Sequence, residues 1–443
     1  MSNSGLIWKQ WIKTVRAEPL AVILIEADTG VRVNRQELTF LATKFHQENL
    51  QKLHEKKVVL CYANSLAWMV AFLAVQRGNG TVIALDAGSP TVRQEELAGD
   101  LGAEWLLSEE RGEVYLGGKQ KSNGRALIKL TSGSSGKPKQ ILCRAEHLMA
   151  DGRAIIKGMG LRSQDRNLAL IPLSHSYALG NVVMPLVLKG MVAVVAKTFV
   201  PSLIPTWIKQ YKITVFPSVP VVFGLITKTK ETVDLQPLRL AISAGAALPA
   251  ECAIIFYKRF ELNIHNFYGS SETGGICYDR DGDLTRTGQG LGKVLPGVKL
   301  TISKSRRVSV SSPAVATRSG KFTLKDTGSW AGNKTFQLLS RCCTTANIGG
   351  KKVKVEELQH VLQRLSAVRE VWVGLSQHEQ RDHILALVAT CLEPSAVKKE
   401  LLKQLPAWKI PHVLCCVSAL PKTPRGKVDV LRAKELLLAS FPA

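Results

Sequence analysis

The chain is expected to fold as an α/β protein: a large N-terminal domain of layered α/β sheets with a small β-rich subdomain, plus a small α+β C-terminal domain. Three observations carry that expectation. Short apolar runs alternate with helical patterns over the first half of the chain, residues 299–339 break into shorter runs, and strand–helix alternation resets after Arg341.

Residues 1–18, with Trp8, Lys9, Trp11, Lys13 and Arg16, read as an amphipathic helix. They lack the apolar segment and small-residue cleavage site of a signal peptide. Val58-Val59-Leu60-Cys61 reads as a strand, 65–76 as an apolar helix and 81–85 as the next strand. The run 125–130 reads as a buried strand. Further strands are expected at 168–171, 192–195, 214–216, 238–242 and 263–267, with a helix over 182–188. Residues 299–311, 320–324 and 335–339 have the pattern of short antiparallel strands. Over 355–365, Val355, Leu358, Val361, Leu362 and Leu365 share one helix face. Strands near 371–373 and 384–388, and helices over 396–405 and 430–438, complete the chain. The boundary is placed at residue 341, giving domains 1–340 and 341–443.

Composition narrows the function. A chain of 443 residues exceeds one ordinary core. Apolar residues make up 45% and charged residues 21%, a globular balance, and no run is long enough for a transmembrane segment. Nine cysteines show no C-x-x-C spacing, so reduced thiols, a cytoplasmic setting and no structural metal are expected. The net charge of +24 predicts attraction to polyanions such as nucleotides, anionic lipid or an acidic carrier protein. The basic residues are scattered and lack interleaved aromatics, so no nucleic acid partner is expected.

The most informative stretch follows the buried strand: Leu130-Thr131-Ser132-Gly133-Ser134-Ser135-Gly136-Lys137-Pro138-Lys139. Glycines let backbone N–H groups turn toward an anion, hydroxyls add donors and lysines add charge. Only Ser134 and Ser135 separate Gly133 from Gly136, so this is not a Walker A loop. Pro138 keeps Lys137 out of the helical region, so the loop is not expected to run straight into a helix.

Further motifs follow in order. They are Tyr268-Gly269-Ser270-Ser271-Glu272-Thr273, the glycine-punctuated turn 290–297, Arg341 ahead of Asn347-Ile348-Gly349-Gly350-Lys351, and Pro421-Lys422-Thr423-Pro424-Arg425-Gly426-Lys427-Val428-Asp429. With the Ser/Gly/Lys loop, they resemble the carboxylate-adenylating superfamily of acyl- and aryl-CoA synthetases, nonribosomal adenylation domains and luciferases. The resemblance runs from about residue 58 to the C-terminus.

That resemblance implies a two-step reaction. A carboxylate attacks the α-phosphate of ATP to give acyl-AMP and pyrophosphate, and a thiol then displaces AMP. It implies that Thr131, Ser132, Gly133, Ser134, Gly136 and Lys137 form the loop holding the pyrophosphoryl part, and that Glu272 binds Mg²⁺. Tyr268 would lie against adenine, Gly269 would belong to the same nucleotide-binding turn, and Ser271 would bond the AMP phosphate. Gly245 and Ala246 would line the adenine and acyl pocket. Arg341 would anchor the ribose, His175 would gate the acyl pocket, and Lys427 would bridge carboxylate and phosphate charge during adenylation. The C-terminal domain would be mobile, rotating to move Lys427 away and bring Gly349 and Gly350 toward the thiol.

Amino-acid-activating relatives place an Asp in the segment matching 172–180. This chain has no carboxylate there, which argues against an α-amino acid substrate. Two departures stand out. Ser329 replaces the family's ribose-holding Asp, leaving Asp326 as the nearby acid, and Cys343 replaces the hinge Asp. The expected activity is an ATP-dependent, AMP-forming ligase that joins an aryl or acyl carboxylic acid to CoA. Loading of an acidic acyl carrier protein is the nearest alternative. A nucleotide- or acyl-binding protein without turnover, and a polyanion- or membrane-binding protein, are the others.

Overall fold

In the computed structural model the described residues are 5–87, 95, 98–118, 122, 124–131, 139–229, 234–341, 345–348, 351–378, 381–405, 407–423 and 426–439. They fall into two compact units. One comprises residues 1–303, 308–324 and 329–337; the other comprises 304–307, 325–328 and 338–443.

The first unit is organised by a helix with no polar face. Leu66–Arg77 buries Trp68, Met69, Ala71, Phe72, Leu73, Ala74, Val75 and Gln76, as expected of a helix that is apolar all round. Ser65 caps it, accepting the Trp68 N–H at 3.2 Å. The helix packs against Lys57–Cys61 and Thr81–Ala84 of one sheet and Val22–Glu26 of another. It is therefore a layer between two sheets, and Gln76 ties it to the strand entering the Ser/Gly/Lys loop by donating to Ala126 O at 2.9 Å.

The first sheet runs, in order, Gly112–Tyr115, Trp105–Ser108, Lys57–Cys61, Thr81–Ala84, Leu127–Thr131, Lys139–Cys143. Its inner pairings are parallel and its two edges antiparallel. The second runs Lys293–Val294, Gly274–Tyr278, Ile264–Ser270, Leu240–Ser243, Val215–Ser218, Arg166–Ala169, Val192–Val195, Val22–Glu26, Arg32–Asn34. Its central strands are parallel and nearly continuous in apolar residues, as expected when helices cover both faces. Leu66–Arg77 and Ala145–Met159 cover one face; Ile204–Gln210, Pro220–Lys228 and Ala250–Phe260 cover the other. A further four-stranded sheet consists of Lys299–Ile302, Arg307–Ser311, Lys321–Ala331 and Thr335–Arg341.

The N-terminal segment forms the helix Leu6–Ala17, but its apolar face is not left for a surface. Ile7, Trp8 and Trp11 enter the main core, and Trp11 Nε1 donates to Thr39 Oγ1 at 3.0 Å. The strand expected at 320–324 is longer than its sequence pattern implied. Lys321–Ala331 runs through Asp326, Thr327, Gly328 and Ser329 as continuous strand, because sheet pairing overrides the local turn preference of those residues.

The second unit has its own core. Val368–His378, Arg381–Thr390 and Val413–Val417 form a sheet, the first pair antiparallel and the second parallel. Ile384, Ala386 and Val388 pack under the helices Val355–Gln363 and Pro394–Leu402. Leu385, Leu387 and Ala389 face Val430–Leu438 on the other side. Both faces are covered, so the strand is apolar at successive positions instead of alternating. Among the described residues no helix is long and apolar enough to cross a membrane.

Candidate active site

The candidate site grows from the carboxyl ends of the parallel strands in the second sheet. Arg166–Ala169 has Val192–Val195 on one side and Val215–Ser218 on the other, so the chain order reverses at that strand. Open α/β sheets bind ligands outside the carboxyl ends of their strands at such a switch point. The segment leaving this strand carries His175, the loop after Leu240–Ser243 carries Gly245 and Ala246, and the turn after Ile264–Ser270 carries Ser271 and Glu272.

Each is fixed by a local device. Asn64, between strand and helix of the first sheet, clamps the segment before His175. Its Nδ2 donates to Ala169 O and Ile171 O at 3.0 Å each, and its Oδ1 accepts the Leu173 N–H at 2.8 Å. His175 Nδ1 then accepts the Tyr177 N–H at 3.2 Å. Tyr177 anchors the following turn by donating to Ile242 O at 3.0 Å and stacking on Phe267. Gly245 has φ +88°, a left-handed conformation that glycine tolerates, and both Gly245 and Ala246 are exposed.

Tyr268 is buried at the end of its strand and stacks on Phe336, ring centroids 5.5 Å apart; Trp330 meets Phe336 edge-on. Ser271 Oγ accepts from Ser176 Oγ at 2.9 Å, joining the turn to the His175 segment. Glu272 is about one-fifth exposed and pairs with Lys139 at 3.4 Å. Its carbonyl accepts the Ala316 N–H at 3.3 Å. Lys139 also lies over the Phe322 ring.

Lys139 begins the second arm of a hairpin. Leu127–Thr131 pairs antiparallel with Lys139–Cys143, with Thr131 opposite Lys139. The element after the Ser/Gly/Lys loop is thus a strand and not a helix. Ser132, Gly133, Ser134, Gly136 and Lys137 themselves lie outside the described residues, as do Gly349, Gly350 and Cys343.

Through the Ser176–Ser271 bond the structure brings the segment that carries His175 to the turn of Ser271 and Glu272, and Tyr268 lies in the strand that leads into that turn. Asp326 sits mid-strand, and Ser329 Oγ donates to Gln337 Oε1 at 3.5 Å. Arg341 ends the strand Thr335–Arg341. Lys427 is exposed in a turn whose base is the bridge between Lys422 and Val428. Its carbonyl accepts from the Thr423 N–H at 2.7 Å and the Thr423 hydroxyl at 3.2 Å. Sequence reasoning missed Asn64 and the role of Ser176. Lys139 was visible as part of the basic loop; Asn64 gave no signal beyond its place before a helix cap.

The residues suit a hard divalent cation. Glu272 offers carboxylate oxygens about one-fifth exposed, and Ser271 precedes it in the turn. Mg²⁺ fits such a place, because it keeps waters and takes ligands from substrate phosphates in addition to one or two carboxylates.

Residues 116–310 match the family described as AMP-binding enzyme. A 3,4-dihydroxybenzoate–[aryl-carrier protein] ligase of Bacillus anthracis is 23% identical over 69% of this chain and 72% of its own length. A sulfoacetate–CoA ligase of Cupriavidus necator is 25% identical over 69% of this chain and 66% of its own length. The chain spans 10% of the length of the long synthases it also matches. The crystal structure of ATP-bound MatB from Rhodopseudomonas palustris superposes with a TM-score of 0.82 at 17% identity, covering 98% of this chain and 99% of that one. The fold is that of the adenylating enzymes, with a large N-terminal and a small C-terminal domain, and residues 116–310 match the AMP-binding enzyme family within it.

Proposed function

We propose that the protein is an ATP-dependent acid–thiol ligase that activates a non-amino aryl or acyl carboxylic acid as acyl-AMP and transfers it to CoA. One observation carries this reading: Ser176, Ser271, Glu272 and Lys139 converge at the switch point of the parallel sheet, beside the hairpin that holds the Ser/Gly/Lys loop.

In the first step the acid's carboxylate oxygen bonds the α-phosphorus and pyrophosphate leaves. In the second a thiolate sulfur bonds the acyl carbon, AMP leaves and the thiol's proton is released. Neither step needs covalent help from the protein; both need negative charge neutralised and held in place. Lys139 and Lys137 would supply charge at the pyrophosphoryl end. Ser271 would donate to the AMP phosphate, Tyr268 would pack on adenine and Glu272 would hold Mg²⁺. Bound there, the cation would neutralise phosphate charge. Lys427 would hold the carboxylate against the α-phosphate. Asp326 and Arg341 would serve the ribose, and Gly349 and Gly350 the thiol. His175 would border the acyl pocket. The absence of a carboxylate from 172–180 supports a substrate without an ammonium group.

A carrier protein as acceptor is the second reading, favoured by the aryl-carrier ligase relative and by the net charge of +24. Pyrophosphate release with ATP, Mg²⁺ and a panel of aryl and acyl acids, with CoA or a carrier protein added, tests both. Release dependent on one acid class and accelerated by CoA supports the ligase. Acceleration by the carrier alone transfers the assignment to the second reading. Silence with every acid and acceptor rejects both.

A further inference from the structure

Two buried charges lie beneath the 271–275 segment, and the adenylation reading gives them no task. Lys129, on Leu127–Thr131, is 5% exposed, and its ammonium donates to Ser271 O at 3.4 Å. Asp151, on Ala145–Met159, is 6% exposed, and its Oδ1 accepts the Gly275 N–H at 2.8 Å. The turn 271–273 and the start of the strand Gly274–Tyr278 are thus held at Ser271 and at Gly275, with Glu272 between them. Lys129 and Asp151 act on each other through space. Burial raises the Asp151 carboxyl above its ordinary range, and the Lys129 charge and the Gly275 N–H offset that rise only in part. Either charge without the other would be left uncompensated in the interior.

The turn is moulded around the acid. Gly274 has φ +72°, and a Cβ there would run into the Asp151 carboxylate. On the other side of the carboxylate is Gly180, where an added Cβ would stand 3.0 Å from Oδ2. Asp151 is therefore enclosed between the turn and the segment that follows His175.

We propose that Lys129 and Asp151 are positioning residues, a buried cation and a buried acid that pin the two ends of the 271–275 segment and so fix Glu272 for its cation. This rests on the adenylation reading, because it needs Glu272 to hold Mg²⁺. Lys129 acts through the Ser271 carbonyl, and Asp151 through the Gly275 amide.

The test compares wild type with Lys129→Met, Asp151→Asn and Gly274→Ala. The last moves the turn off the acid without altering either charge, and serves if a core variant does not fold. Calorimetry measures ATP binding with Mg²⁺ and with EDTA, and ATP–pyrophosphate exchange is read alongside. Each folded variant is expected to bind Mg·ATP about tenfold more weakly, with ATP binding in EDTA changed less than about twofold. Variants that bind Mg·ATP like wild type overturn the proposal alone. Equal losses with and without Mg²⁺ also overturn it, because they mark a merely structural role. A wild type that binds no Mg·ATP and exchanges no pyrophosphate overturns the proposal together with the reading beneath it.

Discussion

Glu272 and Lys139 stand 133 positions apart in the chain, and the Lys139 ammonium lies 3.4 Å from a Glu272 carboxylate oxygen. The pair joins the two sheets of the first unit at the candidate site. It also gives Glu272 a counter-ion from the protein itself.

Lys139 is more than half exposed, so the pair contributes little to stability. Lys139→Met should leave the thermal midpoint within about 2 °C of wild type. It should raise the KM for ATP, because Lys139 follows directly on the Ser/Gly/Lys loop that is proposed to hold the pyrophosphoryl part. Calorimetric melting and initial-rate kinetics check the two halves. A large fall in the midpoint with an unchanged KM would make Lys139 structural.

Asn64 is buried and satisfies three backbone groups at 169, 171 and 173. Asn64→Ala strands those groups, at about 1–3 kcal/mol for each that stays unsatisfied. The segment it clamps leads to His175. Urea unfolding should show the loss, and the KM for the acid should rise more than the KM for ATP.

Asp165 and Arg239 give the pH dependence. Burial raises the Asp165 pKa, but hydrogen bonds from Arg239, the Arg162 N–H and the Thr214 hydroxyl outweigh it and hold the carboxyl below its ordinary range. A depressed folded pKa contributes stability above the unfolded value, lost as pH falls through the folded one. Asp165→Asn should therefore cost about 2 kcal/mol at pH 7. The difference from wild type should shrink below about pH 4. Urea midpoints at neutral and acid pH measure this.

Lys427 is exposed in its turn, so its removal should spare the fold. Lys427→Ala should lower acyl-AMP formation by about a hundredfold or more and leave thioester formation from supplied acyl-AMP within a few-fold. Rapid-quench assays of each half-reaction separate the two. Equal losses in both would contradict the adenylation role.

Local pattern and distant pairing were unequally legible in the sequence. The apolar run over 65–76 announced a helix, and Pro138 announced that the loop does not run straight into one. Tyr268 to Glu272 were singled out by the family resemblance and not by their residue types alone, and the structure divides them between the strand Ile264–Ser270 and the turn that follows. Asn64, Lys129 and Asp151 left no such trace. Their partners lie more than a hundred positions away, and periodicity reports which face a residue takes but not what it meets. The strand expected at 320–324 was too short for a related reason: Asp326, Thr327, Gly328 and Ser329 have little strand preference of their own, and pairing with neighbouring strands made them part of Lys321–Ala331.

The central claim is that the 268–272 strand end and turn serve acid-dependent adenylation, and ATP–pyrophosphate exchange with Glu272→Gln tests it most directly. Wild type should exchange label when an accepted acid is present and not without it. The variant, folded to the same thermal midpoint, should exchange about a hundredfold more slowly, with the deficit narrowing as Mg²⁺ is raised. Exchange at the wild-type rate in Glu272→Gln, or exchange independent of any acid, would contradict it.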